Sequence, residues 1–323
     1  MTEDLGPVVE RFVAHKRALG RKYRSEEREL RLLVSFAEER HIGHLEDLTP
    51  AFLEDFLASR PRHRPRSFNH LLGAVRCLLR WAVTNELLSA SPLRARRRRV
   101  TAARIPFLFD AFQARRLLAA AGALPDNSRA VQRSSTYRTI FALSYGLGLR
   151  AGEVCGLRLA DVDSGRSLLV VRGGKFGKSR LVPHGPRIAE LVNQQVVRRS
   201  AGRPALDVAH EPLFTFDGSR SIHPCTASQV FHKLVATLDL TLPDGVSPPR
   251  LHDLRHSFAV GCLLRWYREG LEPASRLHQL STFMGHVAPS STAVYLTITP
   301  GLLDEANRRF EAFAESAWSE VAP

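Results

Sequence analysis

A run of arginines near residue 100 is the sequence feature that most limits how this chain can fold. Residues 94–104 contain six arginines, no acidic residue, no proline and little periodicity. Such a stretch is typical of a connector, and 323 residues are enough for two domains that each bury a core. We therefore predict an N-terminal domain over 1–95, a basic linker over 96–105 and a second domain over 106–323.

The apolar pattern before the linker predicts an all-helical domain. Hydrophobic residues recur at helical spacing in four stretches, and the third begins with Thr49 as N-cap and Pro50 as the first helical residue. Residues 25–28, S-E-E-R, resemble a capping box at the start of the second stretch. The predicted helices cover residues 7–19, 25–40, from 50 onward, and 66–85.

After the linker, the pattern mixes helices with a hairpin. Residues 167–172 (S-L-L-V-V-R) and 179–183 (S-R-L-V-P) predict two strands around the turn G-G-K-F-G-K. The chain as a whole is therefore predicted to be mainly α with a small antiparallel β-hairpin or sheet. The predicted helices of this part are 110–121, 136–147, 186–199, 226–238, 252–267, 275–284 and the amphipathic 302–318.

Positive charge is concentrated in one segment of the chain. Residues 60–104 hold twelve arginines and one acid, Glu86, and so carry most of the net charge of +14. A solvated surface would interleave the two signs, so this distribution favours a nucleic-acid partner over solubility alone or a disordered basic linker. The candidate DNA-binding residues are Arg62, Arg64, Arg66, Arg76, Arg94, Arg96, Arg97, Arg98 and Arg99, with Lys178 and Arg180 in the second domain.

Several classes of protein are disfavoured by what the sequence lacks. No apolar run reaches the roughly 18 residues that a transmembrane helix needs, and the start M-T-E-D-L-G is not a signal peptide. We therefore expect a cytoplasmic protein without a membrane partner. The four cysteines, Cys77, Cys155, Cys225 and Cys262, have no zinc spacing and are expected to be reduced thiols.

Two motifs that resemble cofactor sites depart from the patterns that those sites require. His252 and His256 have the i, i+4 spacing of zinc helices, but position 253 is Asp where a zinc protease has its catalytic Glu. Residues 173–179, G-G-K-F-G-K-S, are one residue too short for a phosphate-binding P-loop, and a strand follows instead of a helix. We expect no metal and no cofactor.

A small set of polar residues in the second domain could carry chemistry on a phosphodiester. Arg150 precedes Glu153 by three residues, close enough for the carboxylate to orient a phosphate-clamping guanidinium. Lys175 at the hairpin tip could donate a proton to a leaving oxygen. His252 and Arg255 share a helix face, and His256 is expected to point elsewhere. The nucleophile candidate is Tyr295, a phenol that needs nearby cations or a base at neutral pH.

Taken together, these residues resemble the tyrosine recombinase, or phage integrase, family. The matching motifs are G-L-R-A-G-E (148–153), G-K-F-G-K-S-R-L-V-P (174–183), H-D-L-R-H-S-F-A (252–259) and M-G-H (284–286), with eight residues between His286 and Tyr295. The likeness covers essentially the whole chain. It implies a helical N-terminal DNA-binding domain and an α+β catalytic domain.

The resemblance also implies a role for each residue. Tyr295 would attack the scissile phosphate, forming a 3′-phosphotyrosyl link and freeing a 5′-hydroxyl. Arg150 and Arg255 would hold the non-bridging oxygens. The remaining members of the implied set are Lys175 as proton donor to the 5′-oxygen, His252 as acid/base partner or orienter of the tyrosine, His286 as hydrogen-bond donor to the phosphate, and Glu153 as orienter of Arg150.

The family points to a DNA strand transferase that works as a tetramer on two paired double-stranded sites, with other recombinases or accessory proteins as further candidate partners. A segment between His252 and His286, residues 268–279, looks inserted, and this resembles the integrases of mobile elements. The helix predicted at 302–318 resembles the segment that docks on a neighbouring protomer, or else packs within its own chain. The rival interpretations are a type IB topoisomerase and a catalytically idle DNA-binding regulator.

Overall fold

A computed structural model describes residues 3–100, 104–173, 179–201, 208–286, 290–297 and 307–308. The chain divides into two compact units, Met1–Ala103 and Arg104–Pro323. Lys175, Lys178 and nearly all of the predicted helix 302–318 lie outside the described residues. Within the parts that are described, no helix is long and apolar enough to cross a membrane.

The first unit is helical, as predicted. Phe12, Leu33, Phe56 and Leu78 are fully buried where its helices meet. The Thr49 hydroxyl accepts a hydrogen bond of 3.2 Å from the Phe52 amide and so caps the third helix as expected. The helices are α1 (Leu5–Ala18), α2 (Arg24–Glu38), α3 (Pro50–Ser59) and α4 (Pro65–Thr84), with a 3₁₀ turn at Leu45–Asp47.

The predicted capping box at residues 25–28 is wrong. α2 begins one residue earlier, at Arg24, and its N-cap is Tyr23 in a left-handed conformation with φ of 48°. Ser25 is therefore already inside the helix, and its hydroxyl donates to the neighbouring Glu26 carboxylate instead of accepting from the backbone. The sequence signal was ambiguous because Ser and Glu are also common in the first turn of a helix.

Part of the predicted linker is packed against the first unit. Arg76 on α4 donates a hydrogen bond of 2.8 Å to the carbonyl of Ala95. Asn69 bonds the backbone of Arg98 on both sides, accepting from its amide and donating to its carbonyl, each at 2.8 Å. The Arg98 guanidinium lies 3.9 Å from the centre of the Phe68 ring. Residues 95–98 therefore have a defined course along α4.

The second unit combines helices with a three-stranded antiparallel sheet in the order β1-β2-β3. The predicted hairpin is β2 and β3, with Leu169 paired to Val182, and the short β1 was not predicted. The elements are α5 (Ala111–Gly122), α6 (Arg133–Gly146), α7 (Ala151–Cys155), β1 (Val162–Asp163), β2 (Leu168–Val171), β3 (Arg180–Pro183), α8 (Pro186–Ser200), α9 (Pro224–Val235), α10 (Asp253–Arg268), α11 (Pro273–Met284) and α12 (Ser290–Thr297).

Helix α6 forms the centre of the second unit. Its Ile140, Phe141 and Leu143 side chains are fully buried, and α5, α8 and α10 pack around it. The sheet turns Leu169 and Val182 toward the same core, as the alternating strand pattern requires. A second apolar cluster joins α10, α11 and α12 through Leu263, Met284 and Tyr295 among others. These two clusters fix the elements that carry the candidate site.

Candidate active site

The candidate site lies where α7, β3, α10, α11 and α12 meet in the second unit. Arg150 stands at the start of α7, directly after Leu147 and Leu149, which are both buried and hold the G-L-G-L-R segment in place. Arg255 is on the buried side of α10, with 1% of its surface exposed. A guanidinium so deeply buried requires partners for its charge and its donors.

Glu153 supplies a negative charge that three arginines share. Its carboxylate accepts 2.7 Å from Arg150 Nη1, and 3.0 and 2.9 Å from Arg180 Nη1 and Nη2. Arg255 Nη1 lies 4.0 Å from the same carboxylate. Burial by itself would raise the pKa of Glu153, but the hydrogen bonds from Arg180 and Arg150 outweigh it and lower the pKa to about 2. The predicted Arg150–Glu153 pairing is confirmed.

Three successive carbonyls at the end of α11 each accept one hydrogen bond from an arginine. Arg180 Nε donates to Phe283 at 2.8 Å, Arg255 Nη2 to Met284 at 2.8 Å, and Arg150 Nη2 to Gly285 at 3.2 Å. These carbonyls lie at the negative end of a helix, which suits cations. The turn thereby ties Arg150 and Arg255 to the backbone just before His286.

Gly285 closes this turn, and we predict that replacing it by Ala displaces the side chain of Arg180. Its φ is +67°, and an added Cβ would lie 2.7 Å from Arg180 Nη1. Gly270 after α10 has a φ of +76° with nothing near its Cβ position, so it is a matched control for backbone strain alone. Gly270→Ala should cost about 1–2 kcal/mol of stability. Gly285→Ala should cost roughly 1–3 kcal/mol more by overpacking, measured by chemical denaturation of both variants. Equal losses of stability in the two variants would mean that Arg180 is not held against Gly285 by its bonds to Glu153 and Phe283.

The nucleophile candidate Tyr295 lies on α12, where we predicted no helix. Its side chain is 5% exposed, and its hydroxyl is 2.9 Å from His256 Nδ1. The prediction that His256 points elsewhere is therefore wrong. The error arose because the packing of α12 against α10 decides which histidine faces the tyrosine, and helical spacing alone does not contain that information.

The other two histidines occupy different positions around the same phenol. His252 precedes α10, is exposed, and meets the ring of His256 edge-on with centres 4.8 Å apart. His286 follows the glycine turn, and its Nδ1 is 2.7 Å from the hydroxyl of Thr292 on α12. The rings of His286 and Tyr295 lie nearly parallel at 6.4 Å. The structure thus brings Arg150, Glu153, Arg255, His286 and Tyr295 together as predicted, with His252 at the edge.

Burial and the arginines set the protonation states at this site. Burial raises the pKa of Tyr295, and Arg255 and Arg150 oppose that rise. Burial followed by the neighbouring arginines lowers the pKa of His286 to about 4. Burial, with a smaller contribution from Arg150, lowers the pKa of Arg255 to about 10, which still leaves it charged at neutral pH. The site therefore holds fixed cations beside a neutral phenol, which suits attack on an anionic phosphodiester.

The predicted DNA-binding arginines fall into two groups: some are bonded to other groups of the protein, and the others are exposed. Arg180 is largely buried, and its bonds to Glu153 and Phe283 do not favour the predicted DNA contact. Its alternation with buried Val182 along β3 was a sequence signal for this inward position. Arg62 is paired with Glu29, and Arg76 and Arg98 bond the backbone. The exposed members of the set are Arg64, Arg66, Arg94, Arg96, Arg97 and Arg99.

Comparison with known proteins identifies the family. A model of the phage integrase family matches residues 108–300. A Sinorhizobium fredii (strain NBRC 101917 / NGR234) protein, y4rB, which carries the name integrase/recombinase, is 35% identical over 94% of this chain and 96% of its own length.

Two solved structures share the fold at 16% identity. The Tn1549 transposon integrase in complex with circular intermediate DNA has a TM-score of 0.65, covering 96% of this chain and 99% of that one. A lambda integrase tetramer bound to a Holliday junction has a TM-score of 0.61, covering 89% and 79%. With the family model and the relative above, the conclusion is that the chain belongs to the phage integrase family and is a tyrosine recombinase.

Proposed function

We propose that this recombinase cuts and rejoins DNA through a 3′-phosphotyrosyl link at Tyr295, without a metal ion or ATP. The observation that carries the proposal is that Arg150 and Arg255, bonded to the neighbouring carbonyls of Gly285 and Met284, lie near enough to the buried Tyr295 phenol to oppose the rise of its pKa. In this mechanism the two guanidinium groups hold the non-bridging oxygens of the scissile phosphate. His286 donates a further hydrogen bond, and Lys175 protonates the departing 5′-oxygen.

The energy of the broken phosphodiester is retained in the phosphotyrosine, so rejoining is the reverse attack by a 5′-hydroxyl. Glu153 keeps Arg150 in position throughout both steps, because its carboxylate bonds both the side chain and the amide of that arginine. A type IB topoisomerase would use similar chemistry, but the family match and the named integrase relative favour recombination between two sites.

The proposed biological setting is a mobile element, with the chain acting as a tetramer on paired DNA ends. The name of y4rB and the fold shared with a transposon integrase on circular intermediate DNA support the mobile element. The fold shared with a lambda integrase tetramer on a Holliday junction supports the assembly.

A nicked suicide substrate that carries candidate element ends tests this function. After cleavage the short strand with the 5′-hydroxyl diffuses away, so the covalent protein–DNA adduct accumulates and is counted on a denaturing gel. We expect adducts in the presence of a chelator and without ATP, with the protein attached to the 3′ end of the cleaved strand and the modified peptide containing residue 295. Attachment to the 5′ end of the cleaved strand, or through another residue, would refute the mechanism.

The exposed arginines after α4 should bind DNA phosphates, and this predicts a change in salt dependence. We expect replacement of Arg94, Arg96, Arg97 and Arg99 by Gln to lower the slope of log affinity against log salt by about 0.9 for each phosphate that is no longer neutralised. Arg98 is left in place because it bonds Asn69 and Arg62 and packs on Phe68. Binding is measured by fluorescence anisotropy over a salt series, and an unchanged slope would mean that the arginines do not touch DNA.

A further inference from the structure

The hydroxyl of Tyr295 has a polar partner that the mechanism above does not use. His256 Nδ1 lies 2.9 Å from that oxygen, and the two rings are 5.4 Å apart at 60°. His252, to which the family resemblance gives the acid/base role, is exposed at the start of α10 and contacts the ring of His256. His252 therefore lies at the surface of the site, whereas His256 lies next to the phenol oxygen.

We propose that His256 is the proton acceptor for Tyr295, orienting the phenol before cleavage and taking its proton as the oxygen attacks phosphorus. The inference rests on the proposed function, because it concerns the same attack. It adds a catalytic residue that the family motifs alone did not indicate. His252 then remains available to the phosphate or to the leaving group.

The proposed step balances in atoms and charge. The Tyr295 O–H bond breaks and its proton passes to His256 Nδ1, while the phenol oxygen forms a bond to phosphorus. The bond from phosphorus to the 5′-oxygen breaks, and that oxygen takes a proton from a general acid, which is Lys175 in the proposed mechanism. When the strands rejoin, the 5′-hydroxyl attacks phosphorus and returns its proton to Lys175, the bond from phosphorus to the Tyr295 oxygen breaks, and the departing phenolate recovers its proton from His256.

The packing of α10 against α12 holds His256 and Tyr295 next to each other. Arg255 and His256 are consecutive on α10, so one turn of the helix carries both a phosphate clamp and the partner of the nucleophile. Ala259, Val260 and Leu263 follow on α10 and form an apolar cluster that includes Tyr295. The distance between the imidazole and the phenol is thus set by packed apolar side chains.

The groups around His256 keep its imidazole ready to accept a proton. Burial lowers its pKa to about 4, and three arginines add to that effect against the opposing charge of Asp253, so the ring is neutral at pH 7. A bound phosphodiester would neutralise part of this positive field and raise the pKa toward neutrality, where a general base is most effective. The groups that face the ring are Asp253 and Arg255 from α10, Arg250 and His252 from the turn before it, Arg104 from the segment before α5, and Tyr295 from α12.

The first test replaces His256 by Asn, whose side-chain oxygen can still accept a hydrogen bond near the Nδ1 position but cannot hold a proton. We expect the rate of adduct formation on the suicide substrate to fall by about 100-fold or more, the usual contribution of general base catalysis. His278→Asn, on an exposed position of α11, is the matched control and should keep the wild-type rate. A rate for His256→Asn within a few-fold of wild type would overturn the proposal.

A second substrate tests whether His256 accepts the proton of the phenol or donates a proton to the leaving 5′-oxygen. When sulfur replaces the bridging 5′-oxygen, the leaving thiolate needs no proton, so loss of the general acid no longer matters. We expect His256→Asn to stay slow on this substrate, because the phenol must still be deprotonated. Recovery of the rate would mean that His256 is the general acid for the leaving group, and would overturn its assignment as the base for Tyr295.

The wild-type enzyme gives a result that does not depend on how the variant folds. On the sulfur substrate its rate should rise with pH as a single basic group loses its proton, at or above the pKa of about 4 that His256 has without DNA. A rate that falls as the pH rises would show that the group acts as an acid, and would overturn the role of His256 as base. Failure of the proposed function looks different: wild-type enzyme would then form no phosphotyrosyl adduct on either substrate.

Discussion

Replacing Tyr295 by Phe is expected to abolish the covalent adduct on the suicide substrate. The change removes the one oxygen that forms the bond to phosphorus, so the loss should exceed the measurable range, at least about 1,000-fold. DNA binding should be retained, because Phe fills the same apolar cluster between α10 and α12. The readout is adduct on a denaturing gel beside binding by anisotropy.

The loss of the hydrogen bond to His256 should cost only about 1 kcal/mol of stability, so misfolding would not explain the missing adduct. Tyr267→Phe, which removes a phenol oxygen elsewhere on α10, is the matched control and should still form the adduct. Adduct formation by Tyr295→Phe would mean that another residue is the nucleophile, and the proposed function would have to be rebuilt around it.

Contacts between residues close in sequence were readily predicted from the chain itself. Arg150 and Glu153 are three residues apart at a helix start, and the spacing alone places the carboxylate against the guanidinium. The strands of the hairpin followed from β-branched and apolar residues flanking a glycine turn. The motif order from Arg150 to Tyr295 then pointed to the family, which the comparisons confirm.

Contacts that depend on how distant elements pack could not be predicted in the same way. His256 meets Tyr295 across 39 positions, and the orientation of α12 relative to α10 decides that it is His256 and not His252. The bonds from three arginines to the carbonyls of residues 283–285 involve backbone atoms, which carry no sequence signal of their own. Only the glycine at position 285 hinted at a special turn there.

The structural centre of the site is Glu153, and its replacement by Gln should be strongly destabilising. The amide keeps the size of the side chain but removes the charge, and its NH₂ group would face the donors of Arg150 or Arg180. Removing one partner from a buried ion pair typically costs about 3–5 kcal/mol. We expect a loss of about that size in the free energy of unfolding at pH 7, measured with guanidinium chloride on the full chain.

The pH dependence of stability provides an independent measure of the same quantity. The pKa of Glu153 falls from 4.5 to about 2 on folding, which corresponds to roughly 3 kcal/mol at 1.36 kcal/mol per pKa unit. Because the folded-state pKa is depressed, this stabilisation is fully present above pH 4.5 and is lost as the pH falls toward 2. Wild type should therefore lose about 3 kcal/mol more than Glu153→Gln between pH 5 and pH 2.

Glu190→Gln is the matched control for this prediction, since Glu190 is exposed on α8 of the same unit. Its stability should stay within about 0.5 kcal/mol of wild type. A small effect of Glu153→Gln, comparable to this control, would mean that the three carbonyls at the end of α11 hold the arginines without help from the carboxylate. A large effect on stability together with a slower cleavage rate would instead place Glu153 as the residue that keeps the phosphate clamp assembled before DNA arrives.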